Sequence, residues 1–178
     1  MGYCLTGKSV SYMQDESDNT ETLILTSREE VREAAIEVAA SAQRSITIMT
    51  PDIEPGIYDH DDFLEVIKRL VLAKRYARVR VLVTEPSRTV RNGNRFVALG
   101  RRLNSHIDFR NLHEDYRTEI HDAFIIADET AVLYRTNGRR FDGIMGKKEP
   151  GIALVHLEAF EQPWEDSVFR HDVHLAHI

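Results

Sequence analysis

Only one cysteine, Cys4, occurs in the 178 residues, and it lies in a polar N-terminal stretch. A lone thiol excludes an intramolecular disulfide framework and suits a reducing compartment, so a cytoplasmic location is expected. Apolar runs are broken by charge well short of the roughly 18 residues that a membrane-crossing helix needs, which argues against integral membrane association. No secretory leader is visible and none is expected, and nothing resembles a nucleotide-binding glycine loop, a serine-based triad, a zinc cluster or an internal repeat. No cofactor is therefore expected. What remains is a chain with 42% hydrophobic residues, enough to fill the core of one ordinary domain.

The ends of the chain carry weak signals. Residues 1–22 are polar, with Asp15, Glu16, Asp18 and Glu21 crowded together, and they read as a flexible acidic arm ahead of a single domain over 23–178. The opening MGYCLT fits the loose pattern for N-myristoylation with Cys4 as a second acylation site. The acidic rather than polybasic sequence behind it argues against such an anchor. His171, His174 and His177 recur every third residue and would gather a divalent metal only on a helical tail; terminal histidines are far more often unstructured, and no metal site is expected.

Charge is unevenly spread, and the net value of −6 hides it. Residues 68–110 hold twelve Lys or Arg against Glu85 and Asp108, a local +10, while residues 1–67 carry −10 and residues 111–178 carry −6. Such a segment would draw phosphate groups, or else form a solvated surface partly paired with its acidic flanks. The paired surface is the simpler expectation. The turn from Thr89 to Arg95, with Arg88 beside it, adds cations that would contact a phosphate if it lay near a site mouth; a plain surface loop is the simpler reading.

Hydrophobic periodicity alternates between helix and strand. Leu23–Leu25 reads as a short strand. Ser27 and Glu30 form a capping box, followed by Val31, Ala34, Ala35, Val38, Ala39 and Ala42 at helical spacing to about Gln43. Ser45–Met49 is a strand closed by Thr50-Pro51. Asp61 or Asp62 caps a helix with Phe63, Val66, Ile67, Leu70 and Val71 on one stripe, and Val79–Val83 is a buried strand. A third helix over Phe96–Leu103, short strands at Ile107–Phe109 and Ala123–Ala127, a final strand over Gly151–Leu157 and a closing helix around Trp164 complete the series. This order predicts an α/β fold, a mixed β-sheet with parallel members flanked by helices.

The stretch HDAFIIADETAVLYRT, His121 to Thr136, carries the sharpest pattern. It resembles the catalytic strand of the phospholipase D superfamily, whose motif is His-x-Lys, four residues, Asp, and then Gly-Ser after six more. Here the spacing is kept as His121, Ala123 and Asp128, with Arg135 and Thr136 where Gly-Ser would fall. From about Thr26 to Phe169 the order of elements is similar to one half of such a domain, and the chain resembles an uncharacterised bacterial phospholipase D-like group. The resemblance implies a homodimer, because one motif per chain supplies half a site. It also implies that one histidine attacks phosphorus while its counterpart protonates the leaving oxygen, with lysines holding phosphate oxygens and aspartates orienting the histidines.

Ala123 removes the phosphate-binding cation. A hairpin turning near Glu129 would pair positions whose numbers sum to 258, placing Arg135 opposite Ala123 and Asn137 opposite His121. Arg135 would then replace the lysine, with Thr136 and Asn137 as further phosphate contacts and His121 and Asp128 as catalytic residues if the domain is active. A one-residue shift in the turn would instead send Arg135 to the other face. Three functions follow. The first, favoured because it explains both the kept spacing and the lost lysine, is a degenerate, non-catalytic phospholipase D-like domain that dimerises and binds an anionic, phosphate-containing ligand or partner, nucleic acid among the candidates. The second is an active, metal-independent phosphodiesterase or nuclease with His121 as nucleophile. The third is a structural protein-interaction domain.

Overall fold

The computed structural model describes residues 22–86 and 93–169. The arm expected over 1–22 lies outside the described residues except for Thr22, as do the C-terminal histidines and residues 87–92 of the basic turn. In chain order the elements are β1 (Leu23–Leu25), α1 (Arg28–Ser41), β2 (Ser45–Thr50), α2 (Asp61–Ala73), β3 (Arg78–Val83), α3 (Arg95–Arg102), β4 (Ile107–Asn111), β5 (Ala123–Ala127), β6 (Ala131–Arg135), β7 (Gly143–Gly146), α4 (Pro150–Glu165) and β8 (Val168–Phe169). A single turn of 3-10 helix, Glu114–Tyr116, separates β4 from β5.

The eight strands form one mixed sheet in the order β1-β7-β6-β5-β2-β3-β4-β8. Strands β2, β3 and β4 run parallel, because α2 and α3 carry the chain back between them, whereas β5, β6 and β7 add as antiparallel neighbours. The first face of the sheet packs against α1, α2 and α3, with Ile46, Ile48, Val79, Val81, Ile125 and Leu133 meeting Val31, Ala35, Phe63, Ile67 and Phe96. Its other face is covered by α4, whose Ala153, Phe160 and Trp164 pack on Met49, Leu82, Phe124, Ile126 and Val132. β2 (SITIMT) and β3 (RVRVLV) alternate in sequence, with Ile46, Ile48, Val79 and Val81 in the core under α1–α3 and Met49 and Leu82 in the one under α4.

The capping box at Ser27 and Glu30 forms as the sequence predicts. For α2 the cap is instead His60, whose Nδ1 accepts the Asp62 N–H at 3.3 Å, and Asp61 and Asp62 fall in the first turn, where carboxylates complement the helix dipole. The expected strand over Gly151–Leu157 is corrected: these residues form the first half of α4, and the strand is β7 just before it. A short apolar run such as IALV fits a buried strand or a helix equally well, and Pro150 at the first helical position is the signal that decides for helix.

The basic segment is dispersed over both faces. Arg80 is gripped by Glu161 at 2.8 and 2.9 Å and lies over the Phe160 ring at 4.9 Å, under α4. Arg110 stacks on Trp164 at 4.3 Å, and Arg95 joins Asp59 at 2.8 Å and Asp61 on the opposite layer. These cations are partly paired with the acidic flanks, and those among the described residues do not collect at one site.

Candidate anion-binding cleft

Where β2 and β3 end and the antiparallel β5 begins, the loops leave a cleft of about 590 Å³. In open sheets, ligands bind at the carboxyl ends of parallel strands where the topology changes direction, and this cleft occupies that place. Pro51, Thr84, Glu85 and Pro86 line one rim, and Arg117, Ile120, His121, Asn137 and Arg139 the other. His121 is exposed at the lip, just before β5.

The predicted hairpin register is present. Ala123 pairs with Arg135, and the ladder continues through Phe124–Tyr134 to Ala127–Ala131. Beyond Ala123 the pairing ends, and the His121 carbonyl accepts the Gly138 N–H at 2.8 Å, one residue past the expected Asn137. Arg135 is on the face of Ala123, 1% exposed, and directed inward. Its guanidinium forms an ion pair with Glu54 and donates to the Arg140 carbonyl at 3.0 Å, beside the buried Tyr58. Gly143 on β7 leaves room for the aliphatic stem, since a Cβ there would come within 2.8 Å of Arg135 Cγ. Burial pushes the Glu54 carboxyl above the ordinary glutamate value against the pull of Arg135.

The space above Ala123 is closed. Ala123 is 1% exposed, and a Cβ added at Gly138 would run into the Pro51 ring and sit 3.0 Å from the Ala123 Cβ. A long cationic side chain at 123 would have to displace both loops. Of the other expected phosphate contacts, Asn137 lines the cleft and Thr136 is exposed beside it.

Asp128 is not brought to His121. The two stand at opposite ends of β5, on the order of 20 Å apart at about 3.3 Å per residue. The Asp128 carboxylate instead accepts the backbone N–H groups of Gln43, Arg44 (2.7 Å) and Ser45 (2.8 Å), clamping the α1–β2 turn to the hairpin. Its φ of +49° suits an aspartate, among the few residues that enter the left-handed region without severe cost. Asp128→Ala is expected to lower stability by about 2–3 kcal/mol, measurable by urea unfolding, because charge-assisted hydrogen bonds are lost and three N–H groups need new partners. Phosphate affinity at the distant cleft should stay unchanged in the same variant.

Sequence reasoning missed four contributors to this region: Glu54, Glu85, Arg117 and Arg139. Arg139 pairs with Glu85 at 2.8 Å across the mouth, and Arg117 reaches Glu114 at 3.4 Å. Behind His121, Asp122 lies 4.0 Å from His156 of α4, whose ring stacks on Tyr134 with centroids 4.1 Å apart. Burial pushes the Asp122 carboxyl up and the His156 ring down, so both lean toward their neutral forms. Among the described residues there is no group of three or more His, Cys, Asp or Glu side chains that could hold a metal ion.

Residues 27–175 match the family described as Domain of unknown function (DUF7931). The chain belongs to that family. No curated protein matches this DUF7931 domain at a significant level. Among solved structures it is similar to Nuc from Salmonella typhimurium, a phospholipase D family member, with a TM-score of 0.57 at 18% identity over 84% of this chain and 97% of that one. NucT from Helicobacter pylori gives 0.58 at 15% identity, covering 84% and 98%. TrmBL2, an archaeal chromatin protein with a novel mode of DNA binding, gives 0.59 at 13% identity, covering 87% and 56%. The DUF7931 domain therefore has the phospholipase D fold. Among its described residues no helix is long and apolar enough to cross a membrane.

Proposed function

We propose that this domain is a degenerate, non-catalytic member of the phospholipase D fold that dimerises and binds an anionic, phosphate-containing ligand in the cleft. The observation that carries the reading is the closed space over Ala123: Pro51 and Gly138 fill the position a motif lysine would use, and Glu54 neutralises the arginine that would replace it. Loss of one preorganised donor costs on the order of a hundredfold to a thousandfold in rate, and a symmetric dimer loses two. Binding needs less. His121, Asn137, Arg117 and Arg139 present donors to a cleft whose volume falls within the roughly 300–1,000 Å³ typical of small-ligand sites. Of the other two residues expected to contact phosphate, Thr136 is exposed next to Asn137, and Arg135 lies inside, where it donates to the Arg140 carbonyl of the loop that carries Arg139. The DNA-binding chromatin protein that shares the fold makes nucleic acid a ligand to test.

The test combines light scattering with two assays in the absence of added metal. One follows hydrolysis of bis(p-nitrophenyl) phosphate and a labelled single-stranded oligonucleotide, and the other measures binding of inorganic phosphate and the same oligonucleotide. A dimer with no turnover is expected, with binding that weakens in salt and falls about tenfold in His121→Ala or Asn137→Ala. Turnover abolished by His121→Ala would replace this reading with an active phosphodiesterase. A dimer that binds neither probe would leave a protein-interaction domain.

A further inference from the structure

We propose that Glu85 and Arg139 form a charge gate across the mouth of the cleft, and that ligand binding exchanges the Glu85 carboxylate for the ligand's anion on Arg139. This inference rests on the anion-binding reading of the cleft. The two side chains come from opposite rims. Glu85 follows β3, and its N–H donates to the Pro51 carbonyl at 2.7 Å while the Thr84 N–H donates to Thr50 at 2.9 Å, so the parallel ladder continues past the strand ends and fixes the Glu85 backbone. Arg139 lies in the β6–β7 loop. That loop is fixed by Gly138 N–H to the His121 carbonyl (2.8 Å), by Arg139 N–H to Asn137 Oδ1 (2.9 Å) and by Arg135 to the Arg140 carbonyl (3.0 Å).

With both backbones held, the Glu85 and Arg139 side chains are what meet across the mouth among the described residues. Arg139 Nε and Nη2 converge on Glu85 Oε1 at 2.9 and 2.8 Å, using the guanidinium edge that a phosphate would take. The Arg139 side chain is 67% exposed and that of Glu85 28%, so the pair is inexpensive to open by rotating the arginine. Among the described residues, the group that opposes an anion there is the Glu85 carboxylate, which keeps its place on the β3 rim. Glu85 repels an anion bound next to it, and at a few ångströms in a partly desolvated cleft that repulsion exceeds its value in bulk water.

The gate also sets specificity. A simple carboxylate offers Arg139 nothing that Glu85 does not already supply. A phosphate has further oxygens that can be shared with the Asn137 and His121 donors on the Arg139 rim, and so displaces Glu85 where acetate does not.

Isothermal titration of the full chain with inorganic phosphate and with acetate tests the gate. In Glu85→Gln, phosphate affinity should rise about tenfold and acetate binding should become measurable. Arg139→Gln should lose phosphate affinity, and the double variant should gain nothing over Arg139→Gln alone. Glu85→Ala serves as a second removal of the carboxylate, with circular dichroism to establish that each variant folds. Unchanged or weaker phosphate binding in Glu85→Gln and Glu85→Ala, with wild type binding, overturns the gate alone. A gain that persists without Arg139 does so as well, since it would reflect overall charge. If neither wild type nor Glu85→Gln binds phosphate, the anion-binding reading of the cleft falls and takes the gate with it.

Discussion

Arg135→Met is expected to destabilise the fold by about 3–5 kcal/mol at pH 7, because it leaves the Glu54 carboxylate buried with no counter-charge. Both partners are held away from water: the Arg135 side chain is 1% exposed and that of Glu54 14%. Burial already pushes the Glu54 carboxyl upward, with Arg135 pulling against it, and removing the cation leaves burial unopposed. A carboxyl whose folded pKa lies above its unfolded value takes up a proton more readily in the folded state. Its contribution to stability is therefore most favourable below the unfolded value near 4.5 and is lost as pH rises through the folded one. The deficit of Arg135→Met relative to wild type should accordingly be largest at neutral pH and shrink toward pH 4, where Glu54 is protonated. Urea unfolding at pH 4 to 8 measures this directly. The double change Glu54→Leu with Arg135→Met should recover much of the loss, since a buried ion pair often exchanges for apolar side chains at little cost. A pH-independent deficit below about 1 kcal/mol would mean that Glu54 readily finds water.

How much of this is legible in the sequence depends on whether the partner is local. The capping box at Ser27 and Glu30 is set within four residues, and both halves are readable. The pairing of Ala123 with Arg135 follows from hairpin arithmetic, because a tight turn fixes the register and the register fixes the face. The fate of the arginine does not follow. Glu54 lies 81 residues away, in a loop with no periodic signal, and only the fold brings it beneath the hairpin. Pro51 is readable as the end of β2 but not as the residue that closes the space over Ala123. His121 and Asp128 keep the motif's spacing, yet a five-residue strand between them holds the two at opposite ends of the sheet. Spacing along a strand reports which residues share a face; it does not bring the two ends together.

These contacts also separate the two uses of the cleft. A phosphodiesterase needs cations aimed at the phosphoryl oxygens as charge develops, and here the nearest inward cation is already occupied by Glu54. The exposed cations, Arg117 and Arg139, stand on loops at the rim, where they can hold a ligand without being fixed against a reacting centre.

Restoring the motif by Ala123→Lys should therefore produce an unstable protein rather than an enzyme. The added side chain enters a site where Ala123 is 1% exposed and where Pro51 and Gly138 already meet over the Cβ. Overpacking of this kind costs about 1–3 kcal/mol. The ammonium group would also be buried beside Arg135 without a carboxylate of its own, because Glu54 is already shared with that arginine, and an unpaired buried charge adds several kcal/mol. The combined expectation is a loss of at least about 4 kcal/mol, a large fraction of the roughly 5–15 kcal/mol that holds an ordinary domain folded. Thermal unfolding and hydrolysis of bis(p-nitrophenyl) phosphate, measured on the same preparation, check the stability and the activity together. Opening the space with Pro51→Gly in the lysine background should recover part of the packing loss and leave the charge deficit, so stability should return incompletely. A lysine variant that folds as well as wild type and turns over the diester would show that the cleft still accommodates the catalytic constellation, and that Ala123 alone separates this domain from an active one.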